Sequence, residues 1–574
     1  MINRCAMRSK LWLGSLVLGL SLSCAHRPPS GSTDQSFSPF VDEFFDSQFA
    51  FHPVMATHAG LHQYDTQLDD LSRGRHEAEI AELKEFLLRL QTFDRSKLSF
   101  DDSIDAEALE GRIRGRLLEL EVLRTWERNP MQYASLPGRS VHVLISRNFA
   151  PAPERLRSVI ARLKAIPTIY QAARANIGTP PKEFTDLAIR MSKGAQGFFD
   201  RKLSQWARDA AGNDAALLVE FEAARRPVVA ATVEFGHWLE KELLPRSAGA
   251  YALGEANFLA KLKYDEGVQL SLGDLLAKGE AQLAKDYAAF VETAKKIDST
   301  KSPAEVMKLL SDEHPAADDL IPFVGRSLEE IRRFVVEHGI VTVPSEVRPI
   351  VEETPSFARS GSFASMDTPG PFEKKATEAY YYVTPVEKDW DAKHKEEHLR
   401  LYNRHVVAMI DVHEAFPGHY LQFLYAPRFP TKTRKLVHSS SNAEGWAHYT
   451  EQMMVDQGFG GGDPKIRLAQ LQEALLRDCR YVVGVKLHTK GMTVEEGAQV
   501  LVEKAFQERA NAYEEARRGA FNPTYLYYTL GKLEIQQLRD EYLAKRGGDL
   551  KGFHDAFVVQ GALPIPLVRR ILLR

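Results

Sequence analysis

Cysteine is scarce in this sequence, and its scarcity excludes two kinds of stabilised domain. Only three cysteines occur in 574 residues, and two of them, Cys5 and Cys24, lie in the N-terminal segment. Cys479 stands alone in the rest of the chain, which excludes an intramolecular disulfide and a cysteine-based zinc site there. Its surroundings, LLRDCRYVV, are typical of a helix, so we expect a buried and unreactive thiol.

The sequence also has no excess of one charge sign. Lysine plus arginine total 74 and aspartate plus glutamate total 77, which gives a formal net charge of −3. Nothing in this balance favours nucleic acid as a partner. The 44% of hydrophobic and 26% of charged residues are typical of a globular protein and exclude wholesale disorder.

Long apolar runs are absent apart from residues 11–22, LWLGSLVLGLSL. This run is too short to span a bilayer and follows a short positive segment, so it indicates a secretory signal. Cys24, in SLSCA, resembles the processing site of bacterial lipoproteins, where the cysteine becomes the lipidated first residue. Cleavage after Ala25 and an uncleaved anchor are the alternatives.

These features predict an exported protein. We expect a signal peptide over residues 1–24 and a flexible tether over 25–38, rich in Pro, Ser and Gly. Contact with the membrane is expected only through the N-terminal lipid anchor. The predicted location is the bacterial cell envelope, facing the periplasm, with plain periplasmic or secreted protein as the alternative.

Apolar residues recur at three- and four-residue spacing along most of the remaining chain, which predicts a mainly α-helical fold. The clearest helical runs are 78–92, 104–126, 153–166, 187–211, 215–243, 272–296 and 327–338, and helical patterning returns from about residue 396. Residues 340–343 and 379–384 are instead typical of β-strands. The Pro-, Gly- and Ser-containing stretch 354–371 between them predicts a long loop lining a cleft.

The sequence therefore predicts a large helical fold with a small β element near an active-site cleft. We divide it into a helical N-terminal part, 39–335, and a catalytic, metal-binding part, 336–574. The boundary is soft, and the two parts can form one continuous body.

The segment with the clearest chemistry is DVHEAFPGH, residues 411–419. His413 and Glu414 are adjacent, and His419 follows. Two imidazoles that hold Zn²⁺ and a glutamate that polarises a water molecule are the core of the zinc hydrolases. The two histidines are six residues apart, a rotation of about 240° on an ideal helix, which would aim them apart. Pro417 and Gly418 can provide a bulge or tightened turn that returns His419 to the metal.

A third ligand is expected from the segment SNAEGWAHYTE, residues 441–451. Glu444 is the candidate, since a glutamate on a second helix completes one large class of zinc sites. Glu451 lies on the same helix face and can orient a ligand imidazole. His448 can be a ligand or line the pocket, and His438 is a further alternative.

The motifs HEAFPGHYLQ and SNAEGWAHYTEQM resemble the family catalogued as "domain of unknown function 885". The resemblance extends to FHPVMATHAGLHQYD (51–65), to the helix at 147–167 and to C-terminal blocks such as FNPTYLYYTLGKLEIQQLR, so it spans roughly 40–570. That family looks related to the zincin-type, gluzincin-like metallopeptidases. The resemblance implies a mostly α-helical fold, the ligands His413, His419 and Glu444, and Glu414 as the general base.

Other residues have possible roles in such a site. A tetrahedral oxyanion needs a hydrogen-bond donor, for which Tyr528 is the first candidate, with His488 and Tyr525 behind it. Arg477 and Arg480 can bind a substrate carboxylate, although ion pairs within the protein are the alternative. Asp411, which opens the motif, is expected near the site.

We therefore predict a zinc-dependent peptidase with one Zn²⁺ per chain, acting on short or unfolded peptides. A metal-dependent hydrolase of a non-peptide amide or ester is one alternative. A non-catalytic lipoprotein that binds a peptide or cell-wall fragment is another. Mn²⁺ and Co²⁺ remain possible metals, and the sequence leaves the cleavage mode and the oligomeric state open.

Overall fold

The computed structural model describes residues 37–355, 359 and 363–574, and it is 71% helical with one small sheet. The expectation of a mainly α fold with a small β element is confirmed. The signal peptide, Cys24 and the tether up to residue 36 lie outside the described residues. The last two residues of the expected tether, 37 and 38, begin the first helix.

The helices before residue 338 are α1 (Phe37–Phe51), α2 (Pro53–His58), α3 (Arg73–Gln91), α4 (Phe100–Leu117), α5 (Thr125–Arg128), α6 (Pro130–Ile145), α7 (Ala152–Asn176), α8 (Lys182–Gly197), α9 (Leu203–Ala211), α10 (Ala215–Trp238), α11 (Glu255–Glu266), α12 (Leu272–Ile297), α13 (Pro303–Ser311) and α14 (Leu320–Glu337). The later helices are α15 (Ala392–Leu401), α16 (Arg404–Glu414), α17 (His419–Leu424), α18 (Lys432–Leu436), α19 (Ser440–Asp456), α20 (Pro464–Thr489), α21 (Val494–Ala505), α22 (Arg509–Phe521), α23 (Tyr527–Arg546), α24 (Leu550–Val558) and α25 (Ile565–Leu572). The π-helical turns Leu118–Val122, Phe198–Lys202 and Leu239–Leu243 extend α4, α8 and α10.

Local signals explain where several helices begin and end. The Ser271 side chain caps α12, and the predicted run 272–296 agrees with the observed helix to within one residue. The predicted run 104–126 is interrupted because Arg124 adopts a left-handed conformation, with φ of 48°, and separates α4 and its π turn from α5. Pro227 lies inside α10.

The sheet has three strands, β1 (Ile350–Glu353), β2 (Ala364–Asp367) and β3 (Tyr380–Val383). β3 is the central strand, parallel to β1 and antiparallel to β2. All four residues of β3 are buried, which fits the central position of a strand covered on both faces. The predicted strand over 379–384 is therefore confirmed.

The predicted strand at 340–343 is wrong. Ile340 and Val341 are buried in the main hydrophobic core just after α14, and the Thr342 N–H donates to the Asp555 carboxylate at 2.7 Å. The β-branched side chains of this run are explained by their burial in the core, and the run does not pair with a strand.

The largest hydrophobic core joins the two expected parts of the chain. It contains residues of α1, α3 and α4 together with residues of α14, α16, α19 and α24. A second core is formed by the helices α6 to α10. The division at residue 335 stays a prediction, but the main core crosses it.

Within the part of the chain that the structure describes, no helix combines the length and apolar character needed to cross a membrane.

Candidate metal centre

Helix α16 carries the first two residues of the motif. Asn403 caps its N-terminus, and the apolar side chains of Val406, Val407 and Met409 bury one face in the main core. The helix ends at Glu414, so His413 and Glu414 lie in its last turn. The buried face of α16 therefore fixes His413 and Glu414 relative to the core.

The chain then makes a tight turn instead of continuing the helix. The Gly418 N–H donates to the Val412 carbonyl at 3.1 Å, and a Cβ atom on Gly418 would lie only 1.8 Å from the His413 carbonyl oxygen. The Phe416–Pro417 peptide bond in this turn is cis. Only glycine fits at position 418, because any side chain would collide with the backbone of the preceding helix.

A new helix, α17, begins at His419. The rings of His413 and His419 lie 4.9 Å apart, centroid to centroid, at 87° to one another. The six-residue spacing is thus accommodated by two consecutive helices and a turn, which removes the geometric objection raised by a single ideal helix.

Helix α19 supplies Glu444 from the second motif. The next residue, Gly445, faces Gly531 of α23, and a Cβ on either glycine would lie within 3 Å of the opposite helix. Trp446 Nε1 donates to the Pro417 carbonyl at 2.8 Å. The Glu-Gly-Trp sequence therefore places a carboxylate, permits a close helix crossing and holds the turn between the two histidines.

His413, His419 and Glu444 form what we call the ligand cluster. One possible ligand atom from each lies within 4.8 Å of the others. The Glu444 Oε2 atom is 3.4 Å from His413 Nε2 and 3.3 Å from His419 Nε2. Burial acts to raise the pKa of Glu444, but the two imidazoles outweigh it and hold that pKa well below its usual range. Two imidazoles and one ionised carboxylate are a donor set that suits Zn²⁺.

Glu451 fixes the orientation of His413 from behind. Its Oε1 atom lies 2.7 Å from His413 Nδ1, which directs His413 Nε2 towards Glu444. Burial acts to raise the pKa of Glu451, but Arg477 and His448 outweigh it and keep the pKa well below its usual range. A fully buried carboxylate that holds a ligand imidazole is the arrangement expected around a metal site.

The two alternative histidine ligands do not join the ligand cluster. His448 is fully buried, and its Nδ1 atom lies 3.2 Å from Glu451 Oε2. His438 stacks on Phe423, with ring centroids 5.8 Å apart. Burial lowers the pKa of His448 to about 3 and that of His438 to about 4, so both imidazoles are neutral at neutral pH.

Glu414 is half-buried next to the ligand cluster. Its Oε2 atom accepts a hydrogen bond from the Met366 N–H of β2 at 3.1 Å. Burial raises the pKa of Glu414, which makes the carboxylate a stronger base than an exposed glutamate. The small sheet thus holds the candidate base, and the Tyr381 hydroxyl of β3 donates to Asp411 at 2.8 Å in the same region.

Of the candidate oxyanion donors, Tyr528 is the one beside the ligand cluster. Its ring centroid lies 6.1 Å from that of His413, and its hydroxyl has no hydrogen-bond partner among the described residues. Tyr525 is buried and donates its hydroxyl to Glu515. His488 is buried, donates from Nε2 to the Gly519 carbonyl at 2.9 Å, and stacks on Phe258, so it lies in the packed interior.

The two predicted carboxylate-binding arginines are paired within the protein. Arg477 contacts Glu473 and lies 3.3 Å from Glu451. Arg480 makes two hydrogen bonds to Glu515, at 2.8 and 3.0 Å. The alternative of internal ion pairs therefore describes both residues in this structure.

Sequence reasoning missed three residues that bear on the site. Arg518 lies 5.3 Å from the centroid of the Tyr525 ring and has no ion pair with any residue that the structure describes. Glu266 accepts hydrogen bonds from Ser439 and Ser441 at the start of α19, and Tyr381 holds Asp411. Only Tyr381 had a local signal, the β-like run 379–384, because the other two are brought in by packing of distant helices.

Fold and site together define a mainly helical protein with a His, His, Glu cluster in its interior. The chain belongs to the family described as "Bacterial protein of unknown function (DUF885)", whose model matches residues 53–572. No curated protein matches the chain.

Two solved structures resemble it over nearly their whole lengths. One is described as "a putative lipoprotein of unknown function from Shewanella oneidensis", with 28% identity, a TM-score of 0.77, and coverage of 94% of this chain and 100% of that one. The other is described as "the putative lipoprotein from Colwellia psychrerythraea", with 18% identity, a TM-score of 0.79, and coverage of 93% and 98%. The second likeness concerns the fold alone.

Proposed function

We propose that this protein is a zinc-dependent peptidase that hydrolyses short or unfolded peptides. The observation that carries the proposal is the convergence of His413, His419 and Glu444, with ligand atoms within 4.8 Å of one another, beside the carboxylate of Glu414. One Zn²⁺ per chain, when bound by these residues, supplies Lewis acidity towards a water molecule and a carbonyl oxygen.

The protein's own residues would divide the remaining work. Glu414 takes a proton from the attacking water and delivers it to the leaving amine, a role favoured by its raised pKa and its fixed hydrogen bond to Met366 N–H. Tyr528 donates its free hydroxyl to the oxyanion as the carbonyl carbon becomes tetrahedral. Glu451 keeps His413 in the tautomer whose Nε2 lone pair faces Glu444.

We also propose that Cys24 carries a lipid that anchors the protein in the bacterial cell envelope, facing the periplasm. The support comes from the N-terminal sequence and from the descriptions of the two similar structures as putative lipoproteins. Peptides are then the proposed partners, with membrane contact through the anchor alone. The proposal includes no nucleic-acid partner, in keeping with the balanced charge.

The first test is metal stoichiometry by elemental analysis of the purified protein. We expect about one zinc per chain in the parent, and loss of that zinc in His413→Ala and in Glu444→Ala. Full zinc occupancy in Glu444→Ala would assign the third ligand elsewhere, to His438 or His448. No zinc uptake by the parent would favour the alternative of a non-catalytic binding lipoprotein.

The second test is hydrolysis of a peptide library by the parent and by Glu414→Gln. We expect the variant to retain zinc and to lose hydrolysis by orders of magnitude, since it keeps the ligands and lacks the base. Equal hydrolysis by both proteins would show that Glu414 is not the base. Hydrolysis of amide or ester probes without any peptide hydrolysis would favour the non-peptide alternative.

A further inference from the structure

Two adjoining cavities lie on the side of the ligand cluster that faces the N-terminal helices. The first has a volume of about 200 Å³ and is lined by residues of α1, α2, α4 and α18. The second, of about 150 Å³, is lined by His438, Phe423 and the loop before Phe372. Lys435 and Pro371 line both cavities, and we call the two together the basic pocket.

Aromatic contacts connect the basic pocket to the ligand cluster. The Phe423 ring lies 5.8 Å from the ring of His438 and 6.4 Å from that of His419, centroid to centroid. A peptide that occupied both the ligand cluster and the basic pocket would therefore pass next to Phe423 and His438. The first cavity, beyond these two residues, is smaller than sites for drug-sized ligands, which have volumes of about 300 Å³ or more. It therefore has room for one side chain.

Two cations in the basic pocket are unpaired. Neither Arg112 nor Lys435 forms an ion pair with any residue in the described ranges, and no carboxylate lines either cavity there. Arg434, the third cation of the lining, is already neutralised by Asp101 at 2.6 Å. Since burial lowers the pKa values of His438 and His58 to about 4, both are neutral at neutral pH, and the net charge of the lining comes from Arg112 and Lys435.

The carboxylates nearest to Arg112 are engaged by other cations. Burial and the neighbouring Arg116 lower the pKa of Arg112, and the carboxylates of Asp265, Glu79 and Glu119 act against that shift. Lys261 Nζ lies 2.8 Å from Asp265 and 2.6 Å from Glu119, and Arg116 Nε lies 2.7 Å from Glu79. Arg112, an exposed residue, therefore lines the cavity without an ion pair to any residue in the described ranges.

The wall of the basic pocket is fixed by close backbone contacts. A Cβ on Gly370 would lie 2.1 Å from the His58 carbonyl oxygen, and one on Gly60 would lie 2.3 Å from the Glu373 nitrogen. The Phe372 N–H donates to the Ala59 carbonyl at 2.9 Å. The cavity is therefore built between two firmly joined segments, and a ligand would meet a largely preformed site.

We propose that the basic pocket is a specificity subsite that binds a carboxylate of the substrate between Arg112 and Lys435. The proposal rests on the proposed peptidase function and adds a substrate class, peptides with an anionic group some residues from the scissile bond. That group is either an Asp or Glu side chain or the free C-terminus of the peptide. Two unpaired cations beside a small cavity fit a carboxylate, and charge-assisted hydrogen bonds would hold it.

The test compares matched peptides on the zinc-loaded protein. One pair differs by Glu against Gln at a single position, scanned along the peptide, and a second pair differs by a free against an amidated C-terminus. We expect kcat/KM for the carboxylate form to exceed that for the neutral form by about tenfold or more at low salt. The Arg112→Met/Lys435→Met double variant should lose most of this preference, whereas Arg112→Lys should retain part of it.

Lys308→Met is the matched control, because Lys308 is exposed on α13, forms no ion pair with described residues and lies outside the pocket lining. It should keep the parent's preference. A preference that follows the side chain or the free C-terminus supports the subsite and identifies the source of the carboxylate. No preference in the parent, or an equal preference in the double variant, would overturn the proposal.

A binding measurement separates this proposal from the proposed function. Fluorescence anisotropy of a labelled acidic peptide on Glu414→Gln should show affinity about tenfold higher than for its neutral partner, and Arg112→Met or Lys435→Met in that background should reduce the difference. If the parent hydrolyses no peptide, the peptidase function fails while this measurement still decides on the pocket. Hydrolysis without discrimination in either assay would leave the peptidase and reject the subsite.

Discussion

Two sets of cations flank the ligand cluster, and they differ in what balances their charge. Arg477 and Arg480 of α20 are buried and each is paired with glutamates. Arg112 and Lys435 line the basic pocket and have no ion pair among the described residues. The buried, paired arginines thus stabilise the site from within the fold, whereas the cations of the basic pocket face open space.

This difference shows why residue type alone misleads about substrate contacts. Arg477 was a candidate for a substrate carboxylate, yet Glu451 needs it, because a buried carboxylate without a counter-charge is costly. Arg112 lies on α4 and carries no motif, so only the packing of α4 against α18 gives it a role. Four substitutions separate the residues that hold the site from those that only line the pocket.

Arg477→Met should be the most damaging of the four changes. It removes the arginine beside the buried Glu451 carboxylate and leaves only His413 and the neutral His448 in contact with it, so we expect the free energy of unfolding to fall by about 3–5 kcal/mol. Urea denaturation at neutral pH is the measurement. A loss below about 1 kcal/mol would mean that His413 and His448 balance Glu451 without the arginine.

Glu266→Gln tests how the start of α19 is held. Burial raises the pKa of Glu266 from 4.5 to about 7, so the folded protein binds this proton more tightly than the unfolded chain does. Its contribution to stability is therefore fully present below about pH 4.5 and is lost as the pH rises through about 7. Between pH 5 and pH 8 the parent should lose roughly 2–3 kcal/mol relative to the variant.

The comparison of parent and variant is essential here, because Asp411 and Glu534 also have pKa values raised to about 7 by burial. Urea unfolding of both proteins at the two pH values isolates the contribution of Glu266. Parallel pH dependence in parent and variant would assign the titration to the other carboxyls.

Gly531→Ala tests the helix crossing that positions Glu444. The added Cβ would lie 1.9 Å from the Ser441 carbonyl oxygen, so α19 and α23 must separate. We expect a loss of about 1–3 kcal/mol in unfolding free energy and weaker zinc retention against a chelator. Gly74→Ala is the control, since nothing lies within 4 Å of its added Cβ, and it should be neutral or mildly stabilising.

Arg112→Met should change stability least, by no more than about 0.5 kcal/mol, because no described residue loses an ion-pair partner. Urea denaturation beside Arg477→Met gives the direct comparison of an unpaired with a paired cation. A loss comparable to that of Arg477→Met would reveal that Arg112 stabilises the fold and would remove the contrast.

The sequence predicted those features that depend on short-range pattern. The amphipathic run of α12, the buried strand 380–383 and the relation between His413, Glu414 and His419 all follow from spacing of a few residues. The strands Ile350–Glu353 and Ala364–Asp367 were not predicted, because their pairing with β3 is long-range and their sequences include polar residues.

The candidate site likewise includes features that short-range sequence patterns do not predict. Tyr528 and Tyr525 are close in sequence and share residue type, yet one hydroxyl is free beside His413 and the other is bonded to Glu515. His488 is a chemically capable residue that packing places against Phe258 and the Gly519 carbonyl. Which of several suitable side chains reaches the cluster depends on helix crossings such as Gly445 against Gly531, which no local pattern encodes.

The close backbone contact between Gly60 and the segment around Gly370 has a consequence for how sequences of this fold can be recombined. The histidine-bearing turn and α19 lie in the C-terminal part, whereas α1, α2 and α4 supply one wall of the basic pocket. Exchanging the first three hundred or so residues between relatives would therefore replace Arg112 and one wall of the pocket, while Lys435 and the ligand cluster stay in place. The pocket draws on both parts of the chain, and the glycine contact is the place where such a chimaera has to fit.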